Sequence, residues 1–143
     1  LAQQREHPAT ATPHALHEVA EMSRRRGLKV LISDFYYPDD ALAEAIGHLR
    51  HYQHEVILFH VLTPLEAHMP VEGQIRFRDS ETGQEIVTQA EAIRDEFIAA
   101  IDHWQGGLRQ MCGLHEIDYV PITTDVSLPL ALRDYFQVRS QLF

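Results

Sequence analysis

What this chain lacks narrows its function before any motif is read. A single cysteine, Cys112, excludes an internal disulfide framework and suits a reducing compartment. Its apolar neighbours Leu108, Met111 and Leu114 point to a packed thiol rather than a nucleophile. No run approaches the roughly 18 apolar residues of a membrane span, and the mean hydropathy is −0.24; no membrane segment is expected. Basic residues are scarce, 12 against 21 acidic ones, for a formal net charge of −9. Such a chain repels phosphate backbones, so no nucleic-acid partner is expected. The one basic run, Arg24-Arg25-Arg26, precedes Gly27, where a helix should end, and cations there complement the helix dipole. The start has neither an initiator Met nor a signal-peptide layout. The expectation is a cytoplasmic chain cut from a longer one.

What is present reads as α/β. The 143 residues, 45% hydrophobic and 23% charged, suffice for one domain or a piece of one. Residues 14–26 carry Leu16, Val19 and Ala20 on one helical face. Residues 28–35 (LKVLISDF) form a continuous β-branched and apolar run, which predicts a strand covered on both faces. Pro38, Asp39 and Asp40 then open a helix with Leu42, Ile46 and Leu49 as its buried stripe. A second apolar strand follows over 55–62 (EVILFHVL), closed by Thr63-Pro64. Runs 75–78 and 85–88 flank Ser80-Glu81-Thr82-Gly83, predicting a short hairpin with a left-handed glycine.

A long helix is expected over 89–112, where Ile93, Phe97, Ile101, Trp104, Leu108 and Met111 recur at helical steps. Gly106-Gly107 within it suggests a kink or a close helix contact. Residues 117–123 (IDYVPIT) predict a third strand, with Pro121 marking an edge or bulge. A last helix after Ser127-Leu128-Pro129 carries Leu132, Tyr135 and Phe136. Alternating strands and helices imply three parallel strands with flanking helices and a hairpin insertion. Residues 1–12 are expected to form a flexible tail.

Ligands of an open parallel sheet bind beyond the carboxyl ends of its strands. That rule selects Ser33-Asp34, Thr63-Pro64 and Thr123-Thr124-Asp125. Hydroxyls and carboxylates are the oxygen donors that Mg²⁺ prefers. Asp34 is the sharpest candidate, although an aspartate at a strand end can equally cap a loop or the next helix. His48, His51 and His54 step by three, without the Cys, His or Glu partners of a zinc site, and are expected to be solvated. His60 lies inside an apolar strand and reads as a hydrogen-bonded core residue. His115-Glu116 forms no recognisable dyad.

Enzyme templates fail: there is no Gly-x-Ser-x-Gly elbow, P-loop or dinucleotide glycine fingerprint. Tyr36 stands where a haloacid-dehalogenase-type phosphotransferase needs its second aspartate. The expectation is therefore no catalytic site. The alternative is a small Mg²⁺-dependent α/β enzyme or phosphate-binding protein using Asp34, Thr124 and Asp125.

The segments Leu16-His17-Glu18-Val19-Ala20, Arg24-Arg25-Arg26-Gly27-Leu28 and Leu31-Ile32-Ser33-Asp34-Phe35 are joined by 54–62, Glu81-Thr82-Gly83 and Ile117-Asp118-Tyr119-Val120. In that order and spacing they resemble the bacterial domain-of-unknown-function family fifty-eight, whose genes often neighbour MoxR-type AAA+ ATPases. The resemblance implies that residues 13–143 are the C-terminal part of a von Willebrand factor A-like domain. Such domains hold Mg²⁺ with an Asp-x-Ser-x-Ser loop, a separate Thr and an Asp after the fourth strand. By that resemblance Asp34 matches the last ligand and Thr10 the Thr, with Thr12 as the alternative. No Asp-x-Ser-x-Ser occurs here, so no cofactor is expected in this fragment, with Mg²⁺ reserved for the complete protein. The implied partner is a protein such as the AAA+ ATPase or its client. The implied strand order makes 28–35 a central strand robbed of its neighbour, and a homodimer through it is expected.

Overall fold

The computed structural model describes residues 18, 21–22, 25–36, 39–79 and 82–141. The expected tail over 1–12, most of the helix expected over 14–26, and Ser80 and Glu81 lie outside the described residues. Five strands and four helices are described: β1 (Leu28–Ser33), α1 (Asp39–His51), β2 (Glu55–Leu62), α2 (Pro64–His68), β3 (Gln74–Arg78), β4 (Glu85–Gln89), α3 (Ala90–Leu114), β5 (Asp118–Thr123) and α4 (Leu128–Ser140). The strands form a parallel sheet in the order β1-β2-β5 and a separate antiparallel hairpin, β3-β4. The chain divides into two compact units, Leu1–His60 with Arg109–Val120, and Val61–Leu108 with Pro121–Phe143.

In the first unit, β1 and β2 pair in parallel from Leu28↔Glu55 to Ser33↔His60. Val56, Ile57, Leu58, Phe59 and His60 are all buried, so the apolar run of β2 belongs to a strand covered on both faces. Leu42, Ala45, Ile46 and Leu49 of α1 are buried too, at the three- and four-residue steps that give a helix one apolar face. Leu42, Ile46 and Leu49 each contribute about 1.5–3 kcal/mol on leaving water, and Ala45 less.

β1 departs from its sequence pattern. Its alternate residues Leu28, Val30 and Ile32 are 46%, 40% and 47% exposed, so it is not covered on both faces. Among the described residues it stands last in the sheet order, with β2 as its one neighbour; what packs on a strand's two faces is set by other elements, which an apolar run does not specify. Gly27 also differs from expectation. It carries no positive φ, so it does not terminate a helix in the left-handed way. Its carbonyl instead accepts the Glu55 N–H at 3.0 Å and opens the β1–β2 ladder.

In the second unit the hairpin follows its sequence closely. Gly83 has φ +72°, and its N–H donates to the Asp79 carbonyl at 2.9 Å, while Asp79 Oδ1 accepts the Thr82 N–H at 2.8 Å. The start of α3 is tied to the chain before β3: Ala90 N–H donates to the Gly73 carbonyl, and Gly73 N–H to Glu91 Oε1. Phe77 and Phe97 stack with ring centroids 6.4 Å apart.

α3 runs unbroken through Gly106-Gly107, and a Cβ at either glycine would meet nothing within 4 Å. Among the described residues no close helix contact of the kind the sequence suggested is made there. These glycines only cost helix propensity, about 1 kcal/mol each. Gly106→Ala and Gly107→Ala are each expected to stabilise the chain by about 0.5–1 kcal/mol. Urea titration checks this, and a loss of stability would show that the open space at these positions is occupied in solution. Pro121 lies in β5, which ends the sheet order, as a strand proline requires.

Candidate binding edge

After β1 the chain turns sharply. Phe35 adopts φ +54° and buries its ring, which meets His60 edge-on at 6.0 Å, and Asp34 is left exposed at the strand's carboxyl end. Asp34 Oδ1 accepts the Ser33 hydroxyl at 3.3 Å and the Tyr36 N–H at 3.4 Å. Ser33 Oγ accepts the Phe35 N–H at 3.2 Å. The aspartate thus shapes its own loop with one oxygen, at long and weak distances, and presents the carboxylate outward. This geometry shows Asp34 capping its own loop while its side chain stays exposed.

The other expected positions gather in the second unit. Thr63 caps α2: its Oγ1 accepts the Glu66 N–H at 3.2 Å, and Glu66 Oε2 accepts the Thr63 N–H at 2.6 Å. This capping box was legible as Thr63-Pro64-Leu65-Glu66, yet the segment reads at first sight as the mere end of a strand. Thr124 N–H donates to the Leu62 carbonyl at 2.9 Å, which brings the ends of β2 and β5 together. Asp125 stands next to it, exposed, its carboxyl held below the usual range chiefly by the Thr123 side chain, then by backbone N–H groups and the charge of His68. Thr63, Thr124 and Asp125 therefore share one edge of this unit. Ser33 and Asp34 belong to the first unit, and Thr10 lies outside the described residues.

As for metal, Mg²⁺ takes six oxygens. Asp34 and Ser33 supply one carboxylate and one hydroxyl, already bonded to each other. Among the described residues no group of three or more His, Cys, Asp or Glu could hold an ion. These donors do not by themselves make a metal shell.

The histidines divide. His48 and His51 are exposed as expected, but His54 is fully buried, and neither ring nitrogen has a hydrogen-bond partner among the described residues. The residue before it, Gln53, has φ +58°, and that left-handed turn carries residue 54 into the core. His60 is the hydrogen-bonded core residue expected, its Nδ1 sharing a 2.7 Å bond with the Tyr119 hydroxyl. The Arg109 guanidinium lies 5.5 Å from the centre of the Tyr119 ring. Glu116 pairs with Arg50 rather than His115.

Cys112 is a packed thiol, although Leu114 beside it is exposed. Burial raises the Cys112 thiol to about 11. Burial likewise lifts the Tyr119 phenol from 10 to about 12, partly offset by Arg109 and reinforced by Cys112. A folded value above the unfolded one means the neutral phenol stabilises the fold fully below pH 10, and this is lost as pH rises to about 12. Unfolding followed from pH 8 to 12 is expected to show this decline, and Tyr119→Phe to flatten its upper part. Identical profiles for the two proteins would remove Tyr119 as the cause.

These features define a mixed α/β protein with polar residues at its strand ends. The chain belongs to the family described as "Protein of unknown function DUF58", whose model matches residues 1–105. A relative from Mycobacterium avium, "Uncharacterized protein MAV169", is 34% identical over 88 residues, covering 60% of this chain and 50% of that protein. The chain thus spans about half the length of that curated relative. No solved structure matches it. No helix among the described residues is long and apolar enough to cross a membrane.

Proposed function

We propose that this chain is the C-terminal part of a von Willebrand factor A-like protein-interaction module, cytoplasmic and without a catalytic step of its own. The observation that carries this reading is Asp34, an exposed carboxylate delivered by an apolar strand to the sheet's carboxyl edge. In the complete protein Asp34 would be one ligand of a Mg²⁺ ion, with Thr10 a second and the rest supplied from elsewhere. The ion would leave a coordination position for a carboxylate of the partner. The partner proposed is a MoxR-type AAA+ ATPase or its client.

The test is binding of that ATPase by the complete protein in Mg²⁺ and in EDTA. Asp34→Ala is expected to weaken the Mg²⁺-dependent component about tenfold or more, the scale of losing one charged contact. Mg²⁺-dependent binding of undiminished strength would remove Asp34 from the site.

The exposed edge of β1 supports a second association. Leu28, Val30 and Ile32 form one apolar face, and Lys29 is the strand's one charged residue. Two copies can therefore pair edge to edge with little like-charge repulsion, and a homodimer through this strand is part of the proposal.

A further inference from the structure

The amino-terminal end of the β1–β2 pair, opposite Asp34, holds a feature the module reading does not use. A cavity of about 310 Å³ opens between Arg26, Arg50 and Gln53. Arg26 comes from the basic run before β1, Arg50 from the last turn of α1, and Gln53 from the turn into β2. In a chain of net charge −9, Arg26 and Arg50 at one cavity, against the single carboxylate of Glu116 ion-paired with Arg50 among the described residues, leave a locally positive spot.

We propose that this cavity is an oxyanion site, taking the phosphate group of a small ligand. Arg50 is held in place by two contacts. Its Nη1 donates to the His54 carbonyl at 3.0 Å and its Nη2 to Glu116 Oε2 at 2.7 Å. A guanidinium has five N–H donors, so three remain for a ligand on a side chain that is already ordered. Arg26 is exposed and makes no ion pair among the described residues, and the Gln53 side chain is likewise uncommitted there.

The carboxyl end of α1 would ordinarily repel an anion. Here its last carbonyls are engaged by the turn itself: His48 O accepts Tyr52 N–H, Leu49 O accepts His54 N–H, and Arg50 O accepts Gln53 N–H. The turn that does this has φ +58° at Gln53, which sets where that side chain leaves the backbone beside the cavity. Planar guanidinium groups bond phosphate oxygens in pairs, which gives this site its ligand class.

The test is an NMR titration of the whole chain with inorganic phosphate and, in a second arm, with O-phosphoserine. Saturable shifts at Arg26, Gln53 and their neighbours are expected with both if the site reads the phosphate group alone. Response to the ester only would assign it to an esterified phosphate, still within the proposal. Arg26→Gln is expected to weaken binding at least tenfold. Gln53→Asn, which tolerates the left-handed turn, is expected to weaken it about threefold. Arg25→Gln, one residue outside the cavity, is expected to change affinity less than twofold. Equal losses from Arg25→Gln and Arg26→Gln, or shifts that never saturate, would reduce the effect to general screening and overturn the site.

Discussion

Phe59→Ala is expected to destabilise the chain by about 3–5 kcal/mol, a loss comparable with the whole stability of a small domain. Phe59 is fully buried in the strand that has a neighbour on each side, so its removal leaves a cavity the surroundings cannot close. The comparison that gives this meaning is Ile32→Ala. Ile32 belongs to an equally apolar strand but is 47% exposed, and its truncation is expected to cost under about 1.5 kcal/mol. Urea denaturation at low protein concentration separates the two. Equal costs would mean that β1 is covered in solution.

Val30→Lys carries the second large effect, on association rather than folding. In a dimer formed edge to edge along β1, the substitution sets a new charge from each copy within the same apolar face. Like charges brought together at an interface cost several kcal/mol, so the dissociation constant is expected to rise about a hundredfold or more. Sedimentation at tens of micromolar, about the working range of that technique, is expected to show a dimer for the natural chain and a monomer for Val30→Lys. A natural chain that sediments as a monomer would remove the homodimer from the proposal. Because Val30 is already 40% exposed, the variant is expected to fold, and its circular dichroism should match the natural chain.

The parts of the fold that were legible in the sequence are those fixed by local chemistry. The hairpin declared itself through Gly83, the α1 stripe through Leu42, Ile46 and Leu49, and the edge strand β5 through Pro121. Burial was less legible, because it depends on neighbours. β1 and β2 share one composition, yet one lies at the sheet's edge and the other between two strands. His54 looked like a surface residue at a three-residue step, and only the left-handed turn at Gln53 shows that it faces inward. Of the candidate site, the rule about strand ends found Ser33, Asp34, Thr63, Thr124 and Asp125 as positions. It could not show that Thr63 is occupied in a capping box, nor that Asp34 shares its oxygen with its own loop. The cavity at Arg26 and Arg50 was hidden for another reason: the two arginines stand 24 positions apart in sequence, and a basic run before an expected helix end has an adequate local explanation.

The β3–β4 hairpin carries a consequence for how the second unit breathes. Its strands are five residues long, and Ile86 and Val87 are largely exposed. Two such strands are marginal alone. Among the described residues, the attachments to α3 are the Gly73 and Glu91 bonds, Arg94 Nη2 on the Val71 carbonyl at 2.6 Å, and the Phe77–Phe97 stack. Loss of these few contacts leaves α3 with its own backbone bonds intact. The hairpin can therefore lift away as a local opening of low free energy while the β1–β2 pair stays closed. Among the described residues, proteases that cut extended backbone should find the hairpin strands on either side of Gly83 before the β1–β2 pair opens.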